Sequence, residues 1–293
     1  MMNEKYLAGF FDADGHISVR ARKGSRPDLE FSLAQRTEYR APLDYAQKLF
    51  GGVIRERFDG RYLELQMRCG PARKAMERLK KYMVLKRHHA QHMLSLVDRS
   101  SILRTDDDVR QVREQVKAIR QSGASWTPNF PPRKWLAGYV DGDGSFTVKV
   151  CKKTGYAYPK VTILAAPNYT VGVHLIQNSF GGAICKLGEN FQYSIELSQP
   201  SKALKFLDYF AKHLYIKKGQ AYFLLGCAND GNFRDGEIIR EAMKALNAQQ
   251  HRLSDPTSEA ARLVKTVNFS IEKRPTNWHG RTKMKRQSNL QIM

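Results

Sequence analysis

Leu7-Ala-Gly-Phe-Phe-Asp-Ala-Asp-Gly15 returns as Leu136-Ala-Gly-Tyr-Val-Asp-Gly-Asp-Gly144, 129 positions further along a chain of 293 residues. Self-similarity at a fixed offset marks a duplicated unit, and missing it misreads the whole fold. The register runs well past the motif: Phe50-Gly-Gly52 recurs as Phe180-Gly-Gly182, and Leu85-Lys86 recurs as Ile216-Lys217. The slow drift of the offset is what single-residue loop insertions leave in a tandem duplication. A chain of this length suits two domains, or one unit built twice.

Outward from the motif, each copy reads as helix, two strands, helix, two strands, then helices. Residues 4–13 are expected to be helical, and His16-Ile-Ser-Val-Arg-Ala-Arg22 alternates apolar with polar at the period of a half-buried strand. Leu29, Phe31 and Leu33 continue that alternation. A helix over 41–50 leads to strands around 53–58 and 61–68, joined at Asp59-Gly60, and two helices close the unit. In the second copy Phe146, Val148 and Val150, then Tyr193, Ile195 and Leu197, face inward. Val109, Val112, Val116 and Ile119 fall at helical spacing between the copies, giving a linker helix over 106–121 that stops at Ser122-Gly123. Asn129-Phe-Pro-Pro132 stiffens the approach to the second motif, with Pro132 in the first turn of its helix. The expected organisation is a first repeat over 1–100, a linker over 101–131, a second repeat over 132–250 and a basic extension over 251–293, in an α+β fold.

Lys and Arg number 49 against 28 Asp and Glu, a net charge of +21, which points to a polyanionic partner. Hydrophobic residues at 42% and aromatics at 10% support a packed core. Tyr222–Ala228, among the longest apolar stretches, falls far short of the roughly 20 residues a membrane-spanning helix needs. The opening Met-Met-Asn-Glu-Lys does not read as a signal peptide. The expected location is intracellular, in a bacterial cytoplasm or an organelle that encodes the chain. Cys69, Cys151, Cys185 and Cys227 form no Cys-x-x-Cys pair, so they read as reduced structural thiols. His88, His89 and His92 lie at helical spacing without the intervening Glu of a zinc-protease motif, and read as a solvated or phosphate-facing patch.

Small residues recur four apart in each motif, Gly9 and Ala13 in the first and Gly138 and Gly142 in the second. Such stripes let helix backbones approach closely, so the two motif helices are expected to touch. Their aspartates then sit at helix C-termini, where the macrodipole disfavours a carboxylate by a few tenths to about 1 kcal/mol. Two such ends side by side would gather four carboxylates, a costly arrangement unless hard cations such as Mg²⁺ occupy it. Carbonyls of Ala13 and Gly142, free at the helix ends, are candidate further ligands. One Asp-x-Asp-Gly turn ends many helices; two copies beside small-residue stripes on a +21 chain point to metal-assisted displacement at phosphodiesters.

Both motifs resemble the signature of LAGLIDADG homing endonucleases in their single-chain, two-motif form, and the resemblance spans nearly the whole chain. It implies a pseudo-twofold pair of αββαββα units whose antiparallel sheets form a saddle over double-stranded DNA. It implies further that Asp14 and Asp143 are the metal ligands required for cleavage, and that Asp12 and Asp141 hold the helix packing. Lys86 and Lys217 match the family's basic residue near the scissile phosphate, and Gln35 matches a residue that positions solvent. The counterpart of Gln35 is Ala165, which makes the two half-sites chemically unequal.

Outward strand residues are expected to read bases in the major groove. In the first half these are His16, Ser18, Arg20, Arg22, Asp28, Glu30, Ser32, Arg55 and Arg57; in the second, Ser145, Thr147, Lys149, Gln192, Ser194 and Glu196. The leading reading is a monomeric, metal-dependent, site-specific endonuclease. An intron-RNA maturase and a non-cleaving DNA-binding regulator on the same scaffold are the alternatives. An intein setting is disfavoured by a motif that begins at Leu7.

Overall fold

The computed structural model describes residues 2–122, 128–187, 192–229, 233 and 235–247. The expected basic extension lies outside them. The chain opens on helix α1 (Glu4–Asp14), capped by Asn3, whose side chain accepts the Tyr6 N–H at 3.1 Å. Strands β1 (Gly15–Arg20) and β2 (Asp28–Arg36), helix α2 (Ala41–Phe50), and strands β3 (Val53–Arg57) and β4 (Tyr62–Arg68) follow. Helices α3 (Gly70–Leu79), α4 (Arg87–Arg99) and α5 (Asp106–Gln121) complete the first half. The second half repeats the order: α6 (Arg133–Asp143), β5 (Gly144–Val150), β6 (Ala157–Ala165), α7 (Thr170–Phe180), β7 (Ala183–Leu187), β8 (Gln192–Leu197), α8 (Pro200–Phe210), α9 (Lys218–Asn229) and α10 (Gly236–Asn247). The sheets run β1-β2-β4-β3 and β5-β6-β8-β7, antiparallel throughout. This is the expected α+β duplication, with helices on one face of each sheet.

One local reading changes. Pro132 is the residue preceding α6 rather than a member of its first turn. The segment read as a linker helix, α5, packs against β1, and α10 packs against β5. The hairpin at Asp59-Gly60 holds: Phe58, Asp59 and Gly60 have φ of 52°, 55° and 79° between β3 and β4.

The core runs without a break from one repeat to the other, and α1 and α6 form its axis. Leu7, Ala8, Phe10, Phe11, Leu136, Ala137 and Val140 are fully buried. A Cβ on Gly9 would lie 1.9 Å from the carbonyl oxygen of Trp135, and one on Gly138 would lie 2.0 Å from that of Tyr6. The backbones therefore meet where no side chain fits, which is the close approach that the small-residue stripes imply.

The histidines are a correction. His88 and His89 are buried, at 7% and 2% exposure, while His92 alone faces solvent. His88 Nε2 meets Ser122 Oγ at 2.8 Å, His89 Nε2 meets the Ser122 carbonyl at 2.9 Å, and His89 Nδ1 meets the Tyr169 hydroxyl at 2.9 Å. Burial lowers the His89 pKa to about 4, so the ring is neutral and ties α4 to the end of α5 and to the second repeat. Helical spacing could not disclose this, because α4 is covered on the face the sequence left open. Among the described residues no helix is long and apolar enough to cross a membrane.

Gly9→Ala and Gly138→Ala each place a methyl group on opposing backbone, and each is expected to lower the unfolding free energy by about 3 kcal/mol. Gly219→Ala, with nothing within 4 Å, is expected to be neutral or slightly stabilising. Denaturant unfolding of the three variants checks the contrast.

Candidate active site at the paired helix ends

Each motif ends on two aspartates with separate surroundings. The Asp12 carboxylate, 2% exposed, accepts the backbone N–H groups of Val84, Leu85 and Lys86 at 2.7, 3.1 and 2.8 Å, and the Trp135 indole N–H at 2.7 Å. Asp141, 1% exposed, repeats this with Tyr215, Ile216 and Lys217 at 2.7, 3.1 and 2.8 Å, and with the Tyr6 hydroxyl at 2.7 Å. In each case three donors come from the turn leading into a helix of the same repeat, and the aromatic donor comes from the other motif helix. Burial pushes both carboxyls above their ordinary range, and the N–H groups and nearby ammonium pull the other way. The expected gathering of four carboxylates is thus corrected to two, because the first aspartate of each motif is enclosed by backbone donors.

Asp14 and Asp143 are the two that remain at the junction. Gln35, at the end of β2, donates its amide N–H to Asp14 Oδ2 at 2.6 Å. Its counterpart Ala165 is buried and has no side-chain donor to offer. Burial raises the pKa of Asp14 against the attraction of Lys217 and Lys86 and the Gln35 bond. For Asp143, burial and then the neighbouring Asp14 charge push the pKa up to about 7, opposed by Lys86 and Lys217.

The lysines turn inward beneath this pair. Lys86 Nζ donates to the carbonyls of Phe11, Ala13 and Gly15 at 3.0, 3.0 and 2.7 Å. Lys217 Nζ donates to those of Val140 at 3.1 Å, Asp141, and Gly142 at 3.3 Å. Each ammonium gathers carbonyls at and just beyond a helix end, among them those of Ala13 and Gly142, and opposes the negative dipole there. Desolvation lowers the pKa of both, and the aspartates hold it up. The Ala13 and Gly142 carbonyls each already accept one of these bonds.

The donor set at the junction is all oxygen, which suits a hard divalent cation such as Mg²⁺ better than a soft one. Among the described residues no group of three or more His, Cys, Asp or Glu stands together. Asp14 and Asp143 would thus supply two ligands, and water, carbonyls or an incoming phosphate the rest.

Register sorts the outward residues. On the first sheet His16, Ser18 and Arg20 align with Ser32, Glu30 and Asp28, and Arg55 and Arg57 with Glu64 and Tyr62. Arg22 lies beyond the end of β1. On the second, Ser145, Thr147 and Lys149 align with Thr162, Lys160 and Tyr158. Several expected base readers are engaged with neighbours: Glu30 with Arg68 at 3.3 Å, Arg57 with Glu64 at 2.6 Å, and Glu196 with Lys160 at 2.7 Å. Ser194 is a correction: it is fully buried and its hydroxyl has no hydrogen-bond partner, so it presents nothing to a groove. Ser32 is nearly covered at 9%, and the Gln192 side chain lies outside the described residues. Tyr62, Glu64, Gln66 and Arg68 of β4 belong to the same outer face, and the alternation of 62–68 carried that signal.

Residues 136–227 match the family model described as LAGLIDADG endonuclease. Three solved structures share the fold. "LAGLIDADG homing endonuclease I-GzeII in complex with DNA target" is 14% identical over 91% of this chain and 97% of its own, with a TM-score of 0.63. "LAGLIDADG Meganuclease I-AabMI Bound to Uncleaved DNA" is 18% identical over 84% and 98%, with a TM-score of 0.65. "I-SmaMI bound to uncleaved DNA target in the presence of Calcium ions" is 15% identical over 94% and 100%, with a TM-score of 0.62. No curated protein matches the sequence. The family model thus covers the second motif and its repeat, and the duplicated fold of the whole chain is the one these LAGLIDADG structures share.

Folded Asp143 keeps its proton to about pH 7, whereas the ordinary value is 3.8. At this carboxyl the metal-free fold therefore holds a proton that the unfolded chain releases, and the group's contribution to stability falls as pH rises through that window. Carboxyl-detected NMR of metal-free protein is expected to place the Asp143 midpoint near 7 and to show it falling in Asp14→Asn, which removes the neighbouring charge.

Proposed function

We propose that the chain is a site-specific endonuclease that makes a double-strand break in a long DNA target, one strand per half, in a reaction requiring a divalent cation. The observation that carries this reading is the pair Asp14 and Asp143, only partly compensated by Gln35, Lys86 and Lys217 at the joined ends of α1 and α6, with Asp143 raised to about 7. Two desolvated carboxylates with mutual repulsion are costly to the fold, and a cation between them offsets that cost. A divalent cation bound there would withdraw charge from the scissile phosphodiester.

The chain's own residues do the positioning. Lys86 and Lys217 hold the helix ends and keep positive potential beneath the two carboxylates. Gln35 orients Asp14 and offers an amide to solvent at the first half-site. The outer faces of the two sheets lay the duplex across the junction, and one polypeptide supplying both half-sites works as a monomer. We infer the organisation stated above, with repeats over 1–100 and 132–250 joined through 101–131 and followed by the basic extension over 251–293.

Cleaved sites selected from a randomised DNA pool with Mg²⁺ would define the target. On that target Asp14→Asn and Asp143→Asn are each expected to abolish the double-strand break while binding persists; full cleavage by both contradicts the proposal. Specific binding of intron RNA, with no DNA cut, would favour the maturase alternative.

The unequal half-sites have a kinetic consequence. With Gln35 in one half and Ala165 in the other, a nicked duplex is expected to build up before the double-strand break. Strand-specific end labels measure it, and Gln35→Ala is expected to slow the faster strand toward the rate of the slower.

A further inference from the structure

Helices α5 and α10 each bond a side chain to the first strand of their own repeat's sheet, and they carry different chemistry. Asn247, at the end of α10, donates its amide N–H to the carbonyl of Phe146 in β5 at 2.8 Å. Arg120, near the end of α5, donates Nε–H at 3.2 Å to the carbonyl of Ile17, the residue in β1 that corresponds to Phe146. A neutral amide is therefore enough to fasten such a helix to its strand. In the first repeat the same fastening leaves a guanidinium in place, and its Nη2 reaches the Nε2 of outward-facing His16 at 2.6 Å.

That guanidinium is part of a row. Arg113, Lys117 and Arg120 are spaced i, i+4, i+7 and share one face of α5. With Ser18 and Gln121 they line a groove of about 430 Å³ between α5 and β1, at the edge of the outer sheet face. Among the described residues Arg113 and Arg120 form no ion pair, and Lys117 has only Glu114 at 4.0 Å. The cations of α10 differ: Arg240 and Lys244 are engaged with Glu237 and Glu241. At 1.5 Å per residue, the row from Arg113 to Arg120 spans about 10 Å. At a rise of 3.4 Å per phosphate along the duplex axis, that length covers about three steps of one strand, room for one phosphate per cation.

We propose that this face of α5 is a phosphate-binding rail, in which Arg113, Lys117 and Arg120 hold consecutive backbone phosphates of a duplex lying on the first sheet. The grip is sequence-independent, has no equivalent on α10, and makes the first half the electrostatic anchor of the complex. The inference rests on the DNA-binding reading above.

The test is fluorescence anisotropy of a mixed-sequence duplex of about 30 base pairs, without divalent metal, titrated with salt. The variant R113Q/K117Q/R120Q is expected to bind at least about tenfold more weakly and to lose about 2 to 3 from the slope of log affinity against log salt, near 0.9 per phosphate. R240Q/K244Q on α10 is expected to keep the wild-type slope. Should the triple variant fail to fold by thermal melting, exposed Arg113→Gln alone decides, with a slope loss of about 0.9. An unchanged slope in the variants, with wild-type binding intact, overturns the rail and leaves the DNA-binding reading standing. Absence of wild-type binding to any duplex overturns both.

Discussion

The contact of α1 with α6 is the constraint from which the rest of the structure follows. Glycine at positions 9 and 138 lets each backbone sit against the carbonyl of the opposing helix. The two helices then finish side by side, with their negative dipole ends and orphan carbonyls facing one another. Such a junction is unfavourable unless positive charge is supplied. Lys86 and Lys217 supply part of it from within, each reaching across about 75 residues of chain to bond three carbonyls. The remaining deficit falls on Asp14 and Asp143, where a cation would complete the balance.

The junction is held by an exchange between the halves. Trp135 of the second motif helix donates to Asp12 of the first, and Tyr6 of the first donates to Asp141 of the second. Neither buried carboxylate is fully satisfied by its own repeat, so the two repeats fold as one core. A charged hydrogen bond of this kind contributes about 1.5–3 kcal/mol, and leaving its acceptor unpaired in the interior costs more than leaving it in water. Within this shared frame the halves diverge at Gln35 and Ala165, beside the two carboxylates at the helix ends, and at the charged faces of α5 and α10.

Much of this was legible in the sequence because it rests on short-range regularities. The repeated motif gave the duplication, its small residues gave the helix contact, and period-2 alternation gave the strands and their outward faces. What stayed hidden depends on contacts distant in sequence. Nothing near Lys86 says that its ammonium lies under the end of a helix more than 70 residues earlier. The partners Trp135 and Tyr6 are aromatic residues in an apolar stretch, and their polar atoms find use only once the helices pair. His88 and His89 read as solvated because helical spacing shows which residues share a face and not what covers it. Ser194 alternates correctly along β8, yet it is fully buried and presents nothing at the outer face.

We propose that the two carboxylates at the paired helix ends together hold a divalent cation against DNA. Anomalous diffraction from crystals of the protein with a bound duplex and Mn²⁺ tests it most directly. Anomalous density is expected within coordination distance of both Asp14 and Asp143, and is expected to vanish when either is asparagine. Density at another site, with none between these two aspartates, would contradict it.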